Sequence, residues 1–139
     1  MEDKLFDHNE NKVVLFGGLK LISTNILPAC RVIIAGCRDY GNYERLKSAV
    51  GQTPLRITEI VSGGAKGVDK LGVIYAFEFG IPLKVFEADW LTHGRSAGPK
   101  RNAQMAEYAT ALIALWDDES PGTKDMIKRA VAKGLTTYV

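Results

Sequence analysis

From residue 31 onward, short apolar runs rich in β-branched residues alternate with segments whose apolar residues have helical spacing. The run RVIIAG is apolar throughout and ends in glycine, which is typical of a strand buried on both faces. Strands that alternate with helices predict a parallel sheet with right-handed crossovers and helices on both of its faces. The sequence therefore predicts an α/β fold, a Rossmann-like three-layer sandwich with a mostly parallel sheet.

The predicted elements follow this alternation to residue 139. Five strands are predicted, at 31–36, 56–64, 82–88, 110–117 and 135–139. Four helices are predicted between them, at 42–51, 67–80, 98–109 and 120–134. Gly80 supplies a C-terminal cap before Pro82, and Ser120 and Pro121 are typical of an N-cap and a first helical residue.

Residues 1–30 do not share the alternation. Two β-rich stretches, at 12–16 and 19–27, flank the pair Gly17-Gly18, and such a pair predicts the turn of a hairpin. We interpret residues 1–30 as an N-terminal extension that forms an edge hairpin or a dimer arm. An apolar edge of this kind would suit a homo-oligomer, either a dimer or a larger assembly.

Composition narrows the class of protein. A net charge of +2 over 139 residues is too small to indicate a polyanionic partner, so nucleic acid is not the expected partner. Cys30 and Cys37 do not form a C-x-x-C motif, which indicates reduced thiols. The start of the sequence is polar, and the apolar run after it is interrupted by charges and Pro28, so we expect a cytoplasmic protein with no membrane span. No motif indicates a metal or a cofactor.

Four glycine-rich or charged segments follow the predicted strands. They are 36–41, 62–67, 88–102 and 116–123. In an open parallel sheet, ligands bind in the crevice beyond the carboxyl ends of the strands. The sequence therefore predicts a ligand-binding crevice built by these four segments.

The segment SGGAKG lies between the second strand and the second helix. Gly63 and Gly64 would let a ligand approach the backbone, and the amides of residues 65–68 would point out of the helix start, which suits phosphate. The pattern matches neither the P-loop nor the dinucleotide fingerprint. The alternative interpretation is a tight turn in which Asp69 interacts favourably with the helix dipole, and Lys66 either contacts phosphate or is solvated.

The segment SPGT places a second set of helix-start amides at the fourth helix. There Gly122 and Thr123 present two amides and a hydroxyl, and two helix ends at one crevice would suit a ligand with several polar groups. Arginines nearby add charge, although a lone surface arginine is usually only solvated. Trp90 offers either core packing or a face for a base. The candidate ligand-binding residues are Gly36, Arg38, Ser62, Gly63, Gly64, Ala65, Lys66, Gly67, Asp69, Trp90, Arg95, Gly98, Arg101, Asn102, Pro121, Gly122 and Thr123.

Four stretches carry a resemblance to a known family: RVIIAGCRDY, VSGGAKGVDKLG, AGPKRNAQMAEYA after ADW, and ALIALWDDESPGTKDMIKRA. In this order they resemble the YspA-like branch of the SLOG superfamily, which links DprA-type DNA-processing proteins with LOG phosphoribohydrolases. The resemblance covers residues 31–139 and implies a nucleotide-binding domain there. Together with the two helix starts and the cations around them, it leads to the hypothesis that the crevice captures a nucleotide or a nucleotide-derived signalling molecule and that the protein acts as a sensor or sequesters this ligand.

The resemblance also implies two alternatives. LOG enzymes cleave the base–ribose bond with an arginine and a glutamate, and the similar motifs here place Arg101 and Asp125 at those positions as a catalytic pair. This chain departs from that pattern, because aspartate is shorter than glutamate and ESPGT replaces a double-glycine motif. The second alternative, by similarity to DprA, is binding of single-stranded DNA through basic residues of the last helix. They are Lys124, Lys128, Arg129 and Lys133.

Overall fold

The computed structural model describes residues 4–7, 12–15, 21–23 and 29–139. Its strands are β1 (Lys4–Asp7), β2 (Lys12–Leu15), β3 (Leu21–Ser23), β4 (Cys30–Gly36), β5 (Ile57–Ser62), β6 (Leu83–Val85), β7 (Ala111–Leu115) and β8 (Thr136–Tyr138). Its helices are α1 (Tyr43–Gly51), α2 (Val68–Phe79), α3 (Trp90–His93), α4 (Ala97–Tyr108) and α5 (Pro121–Ala132), with a 3-10 turn at Gly94–Ser96.

Five parallel strands form the main sheet in the order β8-β7-β4-β5-β6, and the predicted fold class is confirmed. The first of these strands in the sequence, β4, lies at the centre. Its Ile33 is in register with Val61 of β5 on one side and with Leu112 of β7 on the other. The chain builds outward from β4 to β6 and then crosses to β7 and β8, so the strand order reverses at β4.

Helices cover both faces of this sheet. Val32 and Ile34 of β4 pack into the cluster that contains residues of α1 and α2, whereas Ile33 faces the cluster of α4 and α5. All three side chains are fully buried. Because both faces of β4 are covered, its sequence is apolar without the alternation of a half-exposed strand.

The segment between β5 and α4 differs most from the prediction. The strand β6 is limited to Leu83–Val85, where among the described strands it pairs only with β5, at the edge of the sheet. The segment before the third predicted helix contains a further helix, α3. The Asp89 carboxylate accepts a hydrogen bond from the Thr92 amide at 3.1 Å and thereby caps α3.

The N-terminal strands pair differently from the predicted hairpin. Within the described ranges β2 pairs antiparallel with β1, and β3 joins the main sheet as an antiparallel edge strand beside β8. The turn predicted at Gly17-Gly18 lies outside the described residues. The division of the chain at residue 30 and the role of a dimer arm stay predictions. No helix in the described part of the chain is both long enough and apolar enough to cross a bilayer.

Candidate functional site

A pocket of about 580 Å³ opens beyond the carboxyl ends of β4 and β7. The chain leaves β4 toward the helices of one face and leaves β7 toward the helices of the other, so a crevice forms between these strands. The pocket is lined by Ala35, Gly36, Arg38, Asp39, Ala65, Asp69, Trp90, Gly98, Pro99, Arg101, Asn102, Met105, Ser120, Pro121, Gly122, Thr123, Asp125 and Met126.

Gly36 ends β4 at the base of the pocket, where three elements converge. A Cβ atom at this position would lie 2.3 Å from the carbonyl oxygen of Leu115 and 2.6 Å from Cγ2 of Val68. The next amide, that of Cys37, donates to the same Leu115 oxygen at 3.3 Å. Glycine is therefore required here because β4, β7 and α2 approach one another closely.

The loop before α5 is held by one carboxylate. Asp117 accepts hydrogen bonds from the amides of Glu119 and Ser120 and from the Ser120 hydroxyl, at 2.8 to 2.9 Å. These bonds hold the pKa of the Asp117 carboxyl below its ordinary value, the Ser120 amide being the first cause. Trp116 donates from Nε1 to the Ser120 carbonyl oxygen at 3.1 Å. The Ser120 side chain thus bonds to Asp117 and does not cap α5.

The start of α5 consequently presents open hydrogen-bond donors to the pocket. Pro121 has no amide hydrogen, and the amides of Gly122 and Thr123 have no partner within the described structure. The Thr123 side chain is 5% exposed and lines the pocket, and its hydroxyl has no hydrogen bond to any described residue. A Cβ atom at Gly122 would meet no atom within 4 Å, so this turn is open toward the pocket.

The start of α2 differs, because several amides there already have partners in the protein and one of these partners is a carboxylate. The Val68 amide donates to the Cys37 carbonyl oxygen at 3.1 Å, and the Ala65 amide donates to Oδ2 of Asp69 at 3.3 Å. Gly67 has a φ of 78°, and a Cβ atom there would lie 2.1 Å from the Cys37 oxygen. Two of the amides predicted to hold phosphate are therefore occupied, and Gly67 serves the packing of two loops.

Asp69 is a buried carboxyl in the pocket wall, with 7% of its surface exposed. Burial raises its pKa above the ordinary value. The charge of Arg101, the Ala65 amide, the charge of Arg38 and the Gly36 amide act in the opposite direction, in that order. A buried titratable group with defined charge partners in a crevice is a feature of functional sites.

Arg101 extends from α4 to the end of β5. Its Nη1 donates to the carbonyl oxygens of Gly63 at 2.6 Å and Phe86 at 3.4 Å, and its Nε donates to Oδ1 of Asn102 at 3.1 Å. Burial lowers the pKa of the guanidinium, and the neighbouring Asp69 opposes this change. Arg101 is therefore held by backbone carbonyl groups at the side of the pocket formed by β5 and α2.

Asn102 connects Arg101 to α5. Its Nδ2 donates to Oδ2 of Asp125 at 3.0 Å and to the carbonyl oxygen of Gly122 at 3.2 Å. The same Asp125 oxygen accepts from Nε of Arg129 at 2.9 Å. Asn102 is 6% exposed, so these bonds form a continuous, largely shielded polar path between β5 and α5.

Trp90 lies at the opening of the pocket and is 51% exposed. Its ring approaches Gly98, where a Cβ atom would lie 3.4 Å from Cη2. Arg38 is also exposed and lines the pocket. The pocket thus has an aromatic ring and a cation that solvent can reach.

The structure places most of the predicted residues around this one pocket. Those that do not line it are Ser62, Gly63, Gly64, Lys66, Gly67 and Arg95. Ser62 is fully buried, where its hydroxyl donates to the Asp69 carbonyl oxygen and accepts from the Gly64 amide. Lys66 and Arg95 are exposed outside the pocket.

Some pocket residues were absent from the predicted set, among them Asp39, Met105 and Met126. Asp39 directly follows Arg38 in a segment that was predicted to face the ligand. Met105 and Met126 each lie four residues after a predicted site residue, which places them on the same helix face. Helical spacing was therefore the signal that could have found both methionines.

The basic residues of α5 are partly paired with carboxylates. Arg129 contacts Asp125, and Lys133 bonds to Glu107 of α4 at 2.5 Å. Two of the four basic residues on which the DNA-binding alternative rests therefore have carboxylate partners within the protein.

Comparison with known proteins agrees with the resemblance. Residues 30–93 match the model of the family described as the YspA, cpYpsA-related SLOG family. The chain is also similar to the Gene 61 protein of Mycobacterium phage D29, with 28% identity over 115 residues, covering 76% of this chain and 91% of that protein. No solved structure matches the chain.

The family match contains β4, β5, α2 and Trp90, whereas Arg101, Asn102 and Asp125 lie beyond it. The similarity to this family supports a nucleotide-related role. The match over residues 30–93 supports the resemblance to the YspA-like branch of the SLOG superfamily.

Proposed function

We propose that the pocket binds a nucleotide or a nucleotide-derived signalling molecule, and that the protein acts as a sensor of this ligand or sequesters it. The observation that carries this proposal is the open start of α5. The amides of Gly122 and Thr123 and the Thr123 hydroxyl line the same pocket as Arg38 and Trp90. Free donors at a helix start bind phosphate oxygens, and an aromatic ring offers a surface on which a base stacks.

The remaining lining groups support a nucleotide over a bare inorganic anion. Asp39, Asp69 and Asp125 bring three carboxylates to the pocket. Carboxylates accept hydrogen bonds from ribose hydroxyls, as the acidic residue of a dinucleotide-binding fold does. The volume of about 580 Å³ lies within the range of roughly 300–1,000 Å³ that is usual for small-molecule pockets.

Two measurements test the binding proposal. Mass spectrometry of small molecules released from the denatured protein would identify a co-purified nucleotide. A thermal unfolding screen over mono-, di- and cyclic nucleotides and ADP-ribose would rank the ligands. A ligand present at 100 times its Kd should raise the free energy of unfolding by about 2.7 kcal/mol. If no compound is released and none shifts the transition at millimolar concentration, the proposal is wrong.

A matched pair of variants assigns binding to the start of α5. Gly122→Ala adds a methyl group where no atom lies within 4 Å, so the protein should fold and retain binding. Gly122→Asp adds a carboxylate in the first helical turn, where the helix dipole favours it for stability but where it repels phosphate. We expect Gly122→Asp to lose nucleotide binding while its melting temperature stays at or above that of wild type.

The second candidate is a nucleotide N-glycosidase that uses Arg101 and Asp125. Asp125 lines the pocket with Oδ2 held by Asn102 and Arg129, while Oδ1 has no hydrogen-bond partner within the described structure. An oriented carboxylate of this kind could stabilise an oxocarbenium-like transition state or activate water. Arg101 is bonded to Gly63 and Phe86 on the other side of Asn102, and no hydrogen bond joins it to Asp125 in the described structure.

Chromatography of nucleoside monophosphates incubated with concentrated protein tests this activity. If it is present, free base accumulates with wild type, and Asp125→Asn abolishes the release while nucleotide binding persists. The exposed carboxylate Glu119 supplies a control, since Glu119→Gln should leave the rate unchanged. A preparation that binds nucleotide and releases no base would exclude the N-glycosidase.

A further inference from the structure

We propose that Asp69 occupies the start of α2 as a built-in anion and limits the pocket to one phosphate subsite, at the start of α5. Phosphate monoesters should therefore bind in preference to pyrophosphates. This inference rests on phosphate binding as set out in the proposed function, and it adds which residue limits the number of phosphate groups. It is carried by a difference between the two helix starts that share the pocket.

At α2 three amides are already bonded within the protein, and the acceptor of one of them is a carboxylate. The Ala65 amide donates to Asp69 at 3.3 Å, and the Val68 amide donates to Cys37 at 3.1 Å. The Gly64 amide donates to the Ser62 hydroxyl at 3.1 Å. A carboxylate oxygen thus lies where an anion would otherwise accept hydrogen bonds.

At α5 the donors are open, and a second observation there points to a ligand. No side chain caps the helix, and the amides of Gly122 and Thr123 lack partners in the residues described. Thr123 is 5% exposed and lines the pocket. Its hydroxyl makes no hydrogen bond to any described group. The Thr123 hydroxyl is therefore free to donate, and a bound phosphate oxygen would accept its hydrogen bond.

The pocket lining has no excess of positive charge that would favour a second phosphate. Arg38 and Arg101 are the cations of the lining, against the carboxylates of Asp39, Asp69 and Asp125. Arg101 already donates to the Gly63 carbonyl oxygen and lies beside Asp69. Within a partly enclosed pocket, a second phosphate near Asp69 would face a like charge that water screens only weakly.

The test compares inorganic phosphate with pyrophosphate by titration, using the fluorescence of Trp90 and Trp116 or calorimetry. The variant is Asp69→Asn, which keeps the shape of the side chain and an oxygen that can accept from Ala65. The control is Glu119→Gln, which removes an exposed carboxylate outside the pocket lining. AMP and ADP are titrated in parallel, so that nucleotide recognition is read separately from anion binding.

We expect wild type to bind phosphate more tightly than pyrophosphate. Asp69→Asn should gain pyrophosphate affinity by about tenfold or more, since a close like charge is removed from a poorly screened site. Its phosphate affinity should stay within about twofold, and Glu119→Gln should leave the preference for phosphate in place. A folded Asp69→Asn protein with the wild-type preference, or a wild type that prefers pyrophosphate, would overturn the inference.

Two further outcomes are decided by the same data. If Asp69→Asn does not fold, Gly122→Asp tests the single subsite, because it should remove all phosphate binding, and residual binding would overturn the inference. If phosphate and pyrophosphate behave as expected but AMP and ADP do not bind, the proposed nucleotide function fails while the role of Asp69 stands. Absence of binding by either inorganic anion would overturn the inference directly.

Discussion

Arg101 donates a hydrogen bond of 2.6 Å from Nη1 to the carbonyl oxygen of Gly63. The contact joins α4 to the end of β5, on opposite sides of the family match boundary. It also explains the glycine, because a Cβ atom at residue 63 would lie 2.3 Å from the same Nη1 and 2.7 Å from Oδ2 of Asp69. A side chain at residue 63 would therefore displace the ends of the two charged side chains that pack against it.

We therefore predict that Gly63→Ala displaces Arg101 and lowers the free energy of unfolding by about 1–3 kcal/mol, the usual cost of overpacking. Urea denaturation measures this loss. Gly41→Ala is the matched control, because a Cβ atom there meets nothing within 4 Å, and its stability should change by no more than about 0.5 kcal/mol. Equal effects at the two positions would contradict the packing explanation.

A comparison of Gly67 with Gly94 separates backbone conformation from close packing. Both residues have a positive φ, 78° and 55°, and a ψ of −131°, but only Gly67 lies against other backbone atoms, those of Cys37 and Arg38. Gly94→Ala should cost about 1–3 kcal/mol, the penalty of a backbone conformation that favours glycine. Gly67→Ala should cost this amount and about 1–3 kcal/mol more, because the Cβ atom clashes with the Cys37 oxygen.

Thermal or chemical denaturation of the two proteins provides the comparison. The difference between them measures the packing of the α2 start against the loop after β4. A Gly67→Ala protein as stable as Gly94→Ala would show that this loop moves aside at little cost.

Asn102→Ala should destabilise the protein by about 1–3 kcal/mol, because it leaves Nε of Arg101 and the Gly122 oxygen without their buried partner. Gln104→Ala, an exposed change in the same helix, should stay within about 0.5 kcal/mol of wild type. Calorimetric titration with the ligand found in the screen adds a second readout. There we expect weaker binding by Asn102→Ala and unchanged binding by Gln104→Ala.

The raised pKa of Asp69 predicts a specific dependence of stability on pH. The unfolded carboxyl titrates near 3.8, and the folded one titrates above this value because burial penalises its charge. Between the two values the folded protein binds more protons than the unfolded chain, so this group makes stability fall as pH rises through that window. Arg101 and Arg38 face Asp69 and reduce the penalty without reversing it.

The measurement is the free energy of unfolding from pH 3 to pH 8 for wild type and Asp69→Asn. Other titrating groups largely cancel in the difference between the two proteins. The stability of Asp69→Asn relative to wild type should increase with pH above about 3.8 and then level off once Asp69 is ionised in both states. If wild type instead became more stable relative to Asp69→Asn over that range, the charges of Arg101 and Arg38 would lower the pKa of Asp69 by more than burial raises it.

The sheet could be predicted from the sequence because both of its faces are covered. Strands such as β4 are then continuously apolar, and the helices between them show one apolar face. The open start of α5 was also readable, since Pro121 and Gly122 are local signals of a helix start without side-chain obstruction. The cap of α3 was not foreseen, although Asp89 three residues before Thr92 is the spacing of an N-cap.

The details of the α2 start depend on distant residues that a local pattern does not reveal. Gly63 was predicted to admit a ligand and Gly67 to bind one at the helix start, whereas the structure explains both glycines by packing against Arg101 and Cys37, far away in sequence. The hydrogen bond from the Ala65 amide to the Asp69 carboxylate likewise depends on how the turn folds. Glycine indicates a close approach, but the approaching group is set by tertiary structure.

The hydrogen bonds of the Asn102 side chain couple the positions of the two walls of the crevice. Because its amide holds the Gly122 oxygen and Asp125 while its oxygen holds Arg101, a shift of about an ångström in the first turn of α5 would strain the contact at Gly63. A ligand that displaces this turn would therefore also displace the residues at the end of β5, without any hinge or loop closure.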